Sequence, residues 1–444
     1  MELKNKKIMV VGLARTGLET ARFLARKGAD VVVSDRRGAD ELAEGIRGLA
    51  GLPVRYRLGG EDPAWIKGLD LVVPSPGVAA DNPLLVAAAR RGVEVLSEIE
   101  LASRFIAAPL VAVTGTNGKS TTTTLIGEML ERDGRKVFVG GNIGAPLIGF
   151  VEGEWEAGVV EVSSFQLEWV REFRPRVAVL LNVTEDHLDR YPDFDAYRRA
   201  KERIFAAQGP GDTAVLNRDD PRVWEMRRRI RAAVVSIGFG EVAEGLFPGP
   251  CGIVRRSPCG EEAYSLARVK IHGVHNVENM MGAVAAARAL GVGRAAVQQT
   301  LESFPGLEHR LEFVCEKNGV RYYNDSKGTN VGAAAKSLAS FRGPVILIAG
   351  GVDKGGDYGV LAGEIRQKVK RLVLFGAARE LIAASLGALT ETVLVDSLEQ
   401  AVRDAAAHAC AGDVVLLSPA CSSFDMFRNY AERGKAFKDL VHGL

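Results

Sequence analysis

Val113-Thr114-Gly115-Thr116-Asn117-Gly118-Lys119-Ser120-Thr121 closes the apolar run Leu110–Thr114 and leads into a helix from Lys119. A strand that turns through glycines into a helix beginning Lys-Ser is built to cradle phosphates. The N–H groups of the loop and helix start face the phosphate oxygens, the lysine neutralises the β/γ-oxygens and the serine hydroxyl ligates Mg²⁺. The strict motif needs glycine at 113, where this chain has Val113. The loop is therefore a shortened relative of the common NTPase form and fits an ordinary kinase less well. A plain Gly-rich strand–helix turn is the competing reading, and Gly-Lys-Ser at the helix start argues against it.

Working outward, short β-branched runs at residues 8–11, 31–34, 69–73 and 93–96 alternate with helical patterns such as 18–27. That rhythm predicts βαβ units and a parallel sheet. After the loop, strands at 159–162 and 177–183 are apolar without alternation, as strands buried on both faces are. A helix follows near 275–290, and Phe304-Pro305-Gly306 reads as a linker. Runs at 345–349, 371–375, 392–395 and Val414–Leu417 then alternate with helices once more. The 444 residues correspond to about three domains at roughly 150 residues each. The expected division is 1–97, 98–305 and 306–444, each an α/β unit: Rossmann-like, then P-loop ATPase-like, then Rossmann-like again. No internal repeat or low-complexity segment interrupts this plan.

Composition narrows the class. Charged residues are 25% and hydrophobic ones 47%, which excludes a disordered or fibrous chain. Lys+Arg 57 against Asp+Glu 55 leaves +2, so no global basic field calls for nucleic acid. The cysteines, Cys251, Cys259, Cys315, Cys410 and Cys421, are odd in number and hold no C-x-x-C pair, the pattern of reduced thiols. The apolar run after the basic first seven residues is too short for a secretion signal. No window of about 18 apolar residues suggests a membrane helix. A cytoplasmic protein is expected.

Other segments carry chemistry of their own. Glu161 ends an apolar strand, where a carboxylate is costly unless paired or bound to metal, and magnesium ligation is its natural use. Asp186 and His187 follow the strand at 177–183, at the strand end where open α/β sheets place ligands. His187 alone reads as structural; beside the phosphate loop and Glu161 it reads as a metal or substrate group. Lys201, within Tyr197-Arg198-Arg199-Ala200-Lys201-Glu202-Arg203, reads by itself as part of a solvated charged helix face. Near the N-terminus, Gly12-Leu13-Ala14-Arg15-Thr16-Gly17 approximates G-x-G-x-x-G and Asp35 closes the next strand. That pattern suits a dinucleotide or another nucleotide such as a uridine diphosphate. Pro74-Ser75-Pro76-Gly77 adds a tight turn at the same sheet edge, which alone would be a simple strand exit.

Taken together, these segments resemble the Mur ligases, ATP-dependent amide-forming enzymes of peptidoglycan precursor synthesis. The resemblance runs from end to end. It is carried by the phosphate loop, Gly141-Asn142-Ile143-Gly144, the segments 161–168, 182–191 and 306–310, His275-Asn276 with Asn279, Asn324-Asp325-Ser326-Lys327-Gly328-Thr329-Asn330, and 417–423. Ser-Ser-Phe-Gln-Leu-Glu, Ser-Pro-Ala-Cys and Ser75-Pro76-Gly77 resemble the branch that adds D-glutamate. Departures are Ala14 for a middle glycine, Arg15 beside it, and Tyr430 where related sequences often carry Phe.

The resemblance implies UDP-N-acetylmuramoyl-L-alanine, D-glutamate and ATP as substrates, bound by the three domains in the order sugar nucleotide, ATP, amino acid. It implies a monomer, with no nucleic acid and no integral membrane association. ATP contacts fall on Gly115, Thr116, Asn117, Gly118, Lys119, Ser120, Thr121, Asn276, Arg310 and Asp325. Contacts to the UDP-substrate fall on Arg15, Thr16, Asp35, Arg36, Arg37, Ser75, Gly77 and Asn142, the last orienting the muramoyl group. Lys327, Thr329, Lys354, Ser423 and Tyr430 would receive D-glutamate, although Lys354 alone reads as an exposed turn lysine. Lys119, Glu161, His187 and Lys201 would be catalytic. Two Mg²⁺ are implied, one on Ser120 and Glu161, the other on His187 and a carbamylated Lys201. Carbamylation exchanges a cation that repels metal for oxygen ligands that metal prefers, and it needs a deprotonated amine. Cys421 reads as packing. A nicotinamide-dependent dehydrogenase would leave the phosphate loop unexplained, and a non-enzymatic nucleotide switch would leave Glu161, Asp186 and His187 idle.

Overall fold

The computed structural model describes residues 1–187, 190–271 and 273–444. Leu188 and Asp189, part of the run 182–191 quoted above, lie outside the described residues. Chain contacts divide the remainder into two compact units. One comprises Met1–Val183, Asp195–Ser265 and Asn279–Leu301; the other comprises Thr184–Phe194, Leu266–Glu278 and Glu302–Leu444.

The first unit holds two sheets among the described residues. Strands β1 (Lys7–Val11), β2 (Asp30–Asp35), β3 (Val54–Leu58), β4 (Leu71–Pro74) and β5 (Glu94–Val95) form a parallel sheet in the order β3-β2-β1-β4-β5. The reversal of order on either side of β1 opens a crevice at its C-terminal end, where such sheets bind ligands. Helix Arg15–Arg26 begins there, and Gly17 is required: a Cβ would lie 1.8 Å from the Gly12 carbonyl oxygen.

The second sheet contains β6 (Leu110–Thr114), β7 (Val137–Gly141), β8 (Ala157–Glu161), β9 (Val177–Leu180), β10 (Thr213–Asn217), β11 (Ala233–Ile237), β12 (Gly245–Gly249), β13 (Gly252–Ser257) and β14 (Gly260–Ser265). Its order is β14-β13-β12-β11-β10-β9-β6-β8-β7. Its parallel core strands β6, β8 and β9 are buried throughout, matching their unbroken apolar sequence. Two acids fasten the start of this layer. Glu100 accepts backbone N–H groups from Arg171, Glu172 and Phe173, while Glu98 accepts from Ile148 at 2.6 Å. The second oxygen of Glu98 is buried without a hydrogen-bond partner.

The second unit carries β15 (Glu312–Lys317), β16 (Val320–Asn324), β17 (Val345–Gly350), β18 (Val369–Phe375), β19 (Glu391–Leu394) and β20 (Val414–Leu417), in the order β15-β16-β20-β17-β18-β19. All neighbours but β15 and β16 run parallel.

The parallel α/β plan read from the sequence holds, with corrections. The antiparallel hairpins β12–β14 and β15–β16 were not expected. Strands β13 and β14 set two charged cross-strand pairs, Arg255 with Glu262 and Arg256 with Glu261, beside the buried pair Ile253 with Tyr264, so their apolar signature is short and interrupted. Among the described residues no helix is long and apolar enough to cross a membrane.

Candidate active site

The phosphate loop lies where β6 passes into helix Lys119–Arg132. Its N–H groups are braced from the neighbouring strand end: Thr116 donates to the Asn182 carbonyl at 2.9 Å and Asn117 to its side-chain oxygen at 2.8 Å. Gly118 takes a left-handed φ of 89°, and a Cβ there would sit 2.1 Å from the Asn279 side-chain oxygen. Any side chain there would be strained. Lys119 folds back over the loop, donating to the carbonyls of Gly115 and Thr116 at 2.9 Å each. Ser120 and Thr121 are buried on the first helical turn.

Parallel pairing sets Glu161 beside Val113. Its carboxylate is 2% exposed. One oxygen accepts from the Asn142 amide at 2.7 Å, and the other is buried with no hydrogen-bond partner, as is the Thr121 hydroxyl. A buried carboxylate oxygen left unpaired is costly, and a divalent cation would satisfy it. Among the described residues no group of three or more His, Cys, Asp or Glu is placed to hold a metal. The donors present, one carboxylate oxygen beside the Ser120 and Thr121 hydroxyls, suit Mg²⁺, which takes few carboxylates and fills its shell with hydroxyl, phosphate and water oxygens.

Lys201 overturns the solvated-face reading. It lies on helix Phe194–Glu202, is 1% exposed, and donates from Nζ to the Gly115 carbonyl at 2.9 Å. Its Nζ also sits 4.7 Å from the centre of the Tyr197 ring, and the Tyr197 hydroxyl lies 3.2 Å from that of Thr116.

At the crevice of the first sheet a cavity of about 950 Å³ is lined by Arg15, Thr16, Asp35, Arg36, Arg37, Ser75, Gly77 and Asn142. Every residue expected to meet the UDP-substrate thus reaches one cavity. Asp35 is buried, yet its carboxyl is held down at about 2: burial opposes the shift, and hydrogen bonds from the Arg37 guanidinium and the N–H groups of Leu13 and Arg37 outweigh it. It organises the loop as well as facing the cavity. Gln166, which the sequence reading passed over, also lines this space. Its side-chain oxygen closes a capping box with Ser163, and S-x-x-Q was the available signal.

In the second unit Asp186 is buried and His187 follows it at φ 58°, a left-handed conformation uncommon outside glycine. Asn276 opens a helix with its N–H on the Gly273 carbonyl. Its neighbour His275 is pushed down to about 4 by burial and by the charges of Arg310 and Lys336, so that imidazole is neutral near pH 7. Asp325 is occupied inside the fold: Ser337 and Ser418 donate to one oxygen at 2.6 and 2.8 Å, and the Leu311 N–H to the other. Burial raises its carboxyl above the usual range, against those bonds and Arg310.

Lys327 lies with its Nζ 5.2 Å from the centre of the Tyr430 ring. Thr329 follows in a tight turn on the Lys327 carbonyl, Ser423 is buried at a strand-end loop, and Lys354 stands 3.8 Å from Asp186. Arg433, absent from the sequence reading, ties these loops together. It is wholly buried and donates to Ser326 and to the carbonyls of Ser326, Gly350, Cys421 and Ser422. Burial lowers its guanidinium to about 10. Nothing in its charged helical sequence marked it out.

Three family models match the chain: Mur ligase MurD-like, N-terminal domain at 6–97; Mur ligase middle domain at 113–287; and Mur ligase, glutamate ligase domain at 309–421. A relative from Geobacter metallireducens is 54% identical over 100% of this chain and 99% of its own. One from Geotalea uraniireducens is 53% identical with the same coverage. One from Trichlorobacter lovleyi is 51% identical over 100% of both chains. Each is named UDP-N-acetylmuramoylalanine--D-glutamate ligase. Among solved structures, a pseudomurein peptide ligase type C from Methanothermus fervidus superposes with a TM-score of 0.63 at 20% identity, covering 99% of this chain and 100% of that one. UDP-N-acetylmuramate-alanine ligase from Thermotoga maritima gives 0.60 at 21%, covering 98% and 99%. These last two establish likeness of fold. The chain belongs to the Mur ligase family, among members named for D-glutamate addition.

Proposed function

We propose that this enzyme forms an amide bond between UDP-N-acetylmuramoyl-L-alanine and D-glutamate at the expense of ATP, in peptidoglycan precursor synthesis. The observation that carries the reading is end-to-end kinship with relatives bearing that activity in their name. The gathering of all the expected UDP-substrate residues around one cavity supports it.

A carboxylate is a poor acyl donor. The alanyl carboxylate attacks the γ-phosphorus of ATP and ADP leaves; the D-glutamate amine then attacks the acyl phosphate, and phosphate departs from the tetrahedral intermediate as the amine sheds its proton. Transfer between anions demands charge neutralisation and in-line positioning. Lys119 supplies the mobile cation, and the loop from Gly115 to Gly118, its Thr116 and Asn117 N–H groups braced on Asn182, shapes the cradle for the phosphates. Ser120 and Glu161 are proposed Mg²⁺ ligands, with Thr121 at hand. Bound magnesium would screen the charge of the transferring phosphoryl group. Asn142, bonded to Glu161 and lining the same cavity, is proposed to orient the carboxylate end of that substrate. Lys201 is proposed as a carbamate that ligates metal, and His187 as a further metal ligand. On the second unit we assign Asn276, Arg310 and Asp325 to the nucleotide, and Lys327, Thr329, Lys354, Ser423 and Tyr430 to D-glutamate. The reading carries with it a monomer working in the cytoplasm, with domains at 1–97, 98–305 and 306–444.

The deciding experiment is phosphate release with UDP-N-acetylmuramoyl-L-alanine and ATP against a panel of D- and L-amino acids. Release that responds to no amino acid, or to L-alanine above all, overturns the assignment.

A further inference from the structure

Lys354 has a neighbour that the reaction as outlined does not use. Asp186, 7% exposed at its side chain, places Oδ1 3.8 Å from the Lys354 ammonium. Its Oδ2 accepts from the Asn330 amide at 3.1 Å, and its Oδ1 from the His187 N–H at 3.0 Å. Asn330 is itself fixed, because its side-chain oxygen caps helix Val331–Ala339 through the Ala333 N–H at 2.8 Å. Asp186, Asn330 and Lys354 line one small cleft together with Asp353 and Gly355. The Asp353 carboxylate is already engaged, accepting from the Tyr358 hydroxyl at 2.7 Å and the Gly355 N–H at 3.1 Å.

We infer that Asp186, held by Asn330, is a positioning residue that aims Lys354 at the amino-acid substrate. A lysine carries its charge on a flexible four-carbon stem with three rotatable donors, and fixing such a stem costs entropy that binding would otherwise have to supply. At 3.8 Å the carboxylate attracts the ammonium without taking up a hydrogen bond, so the donors stay available to an incoming carboxylate. The Asn330 strut links this arrangement to the helix that follows Thr329, placing two of the proposed D-glutamate contacts on one rigid frame. The inference rests on the assignment of D-glutamate to this unit.

The test is a set of saturation curves for D-glutamate, ATP and the UDP-substrate. The proteins are the unaltered enzyme, Asp186→Asn, Asn330→Ser, Lys354→Met and the double variant Asp186→Asn/Lys354→Met, each checked for an unchanged melting temperature. Asn330→Ser keeps a helix-capping oxygen but cannot reach Asp186, so it serves if Asp186→Asn folds poorly. Asp186→Asn should raise the D-glutamate KM at least tenfold while the ATP KM stays within threefold. Asn330→Ser should shift it in the same direction by less, and the double variant should be no worse than Lys354→Met. A D-glutamate KM within twofold of the unaltered enzyme, an equal rise in the ATP KM, or additive losses in the double variant would each overturn the inference. An unaltered enzyme that shows no D-glutamate-dependent phosphate release would instead defeat the functional reading beneath it.

Discussion

The Lys201 Nζ and the Gly115 carbonyl oxygen meet at 2.9 Å inside the protein. A lysine on a helix that follows β9 thus touches the first glycine of the phosphate loop, although Arg199 and Arg203 beside it in sequence are exposed. The contact puts Lys201 within the phosphate loop's own surroundings, and its chemistry can be tested separately from that of Lys119.

Lys201→Ala should abolish turnover. A carbamate there would contribute anionic oxygens to a metal, so acetate, small enough to enter the vacated volume, should restore part of the activity at fixed ionic strength. Turnover of the variant with and without acetate is the measurement. Activity near that of the unaltered enzyme without acetate would refute the metal-ligand role.

Lys119→Ala removes the cation that Gly115 and Thr116 hold over the loop. A lost transition-state donor costs about 2.7–4 kcal/mol, or roughly 10²–10³ in rate, and the loss here should be at least as large. Binding of the UDP-substrate, measured by calorimetry, should survive, because other residues line the cavity assigned to it. Near-normal turnover would remove the loop lysine from the reaction.

Amino-acid choice is the third expectation. D-Glutamate should support ADP formation with UDP-N-acetylmuramoyl-L-alanine, and L-glutamate should not. A faster rate with a diamino acid would move the enzyme to another branch of the family.

The fourth concerns pH. Burial lifts the Glu98 carboxyl from 4.5 to about 7, against hydrogen bonds from the Ile148 and Leu147 N–H groups. Its proton is held more tightly in the folded than in the unfolded chain. That contribution to stability is complete below about pH 4.5 and is lost as pH rises through 7, with a ceiling of about 3 kcal/mol. Glu98→Gln, which stays neutral, should therefore melt at a higher temperature than the unaltered protein at pH 8, and the gap should narrow at pH 5. Melting curves that differ equally at both pH values would contradict this.

Much of the architecture was open to a reader of the sequence. The run Leu110–Thr114 and the Gly-Lys-Ser that follows it fall where strand and helix meet, because buried parallel strands and phosphate loops leave compact local signatures. Lys201 was legible with closer attention: Tyr197, Ala200, Lys201, Ile204 and Phe205 form one buried stripe at helical spacing, and a lysine inside an apolar stripe is not a surface lysine. Asp325 and Arg433 were not legible. The serines that enclose the first come from residues 337 and 418, and the carbonyls that receive the second come from residues 326, 350, 421 and 422. Such partners are joined only by the folded topology. The β13–β14 hairpin escaped for another reason, since charged pairs interrupt its apolar pattern.

Arg433 has a consequence for the order in which the enzyme becomes competent. It sits on helix Tyr430–His442, which follows every strand of the third sheet in the chain. The turns bearing Lys327, Lys354 and Ser423 leave different strands, and this one guanidinium spans their backbones. During synthesis those strands emerge first and can pair, but the turns lack their common brace until residue 433 has left the ribosome. The turns assigned above to D-glutamate are thus fastened later than the phosphate loop, and a nascent chain short of residue 433 holds that loop while these turns still lack their common brace.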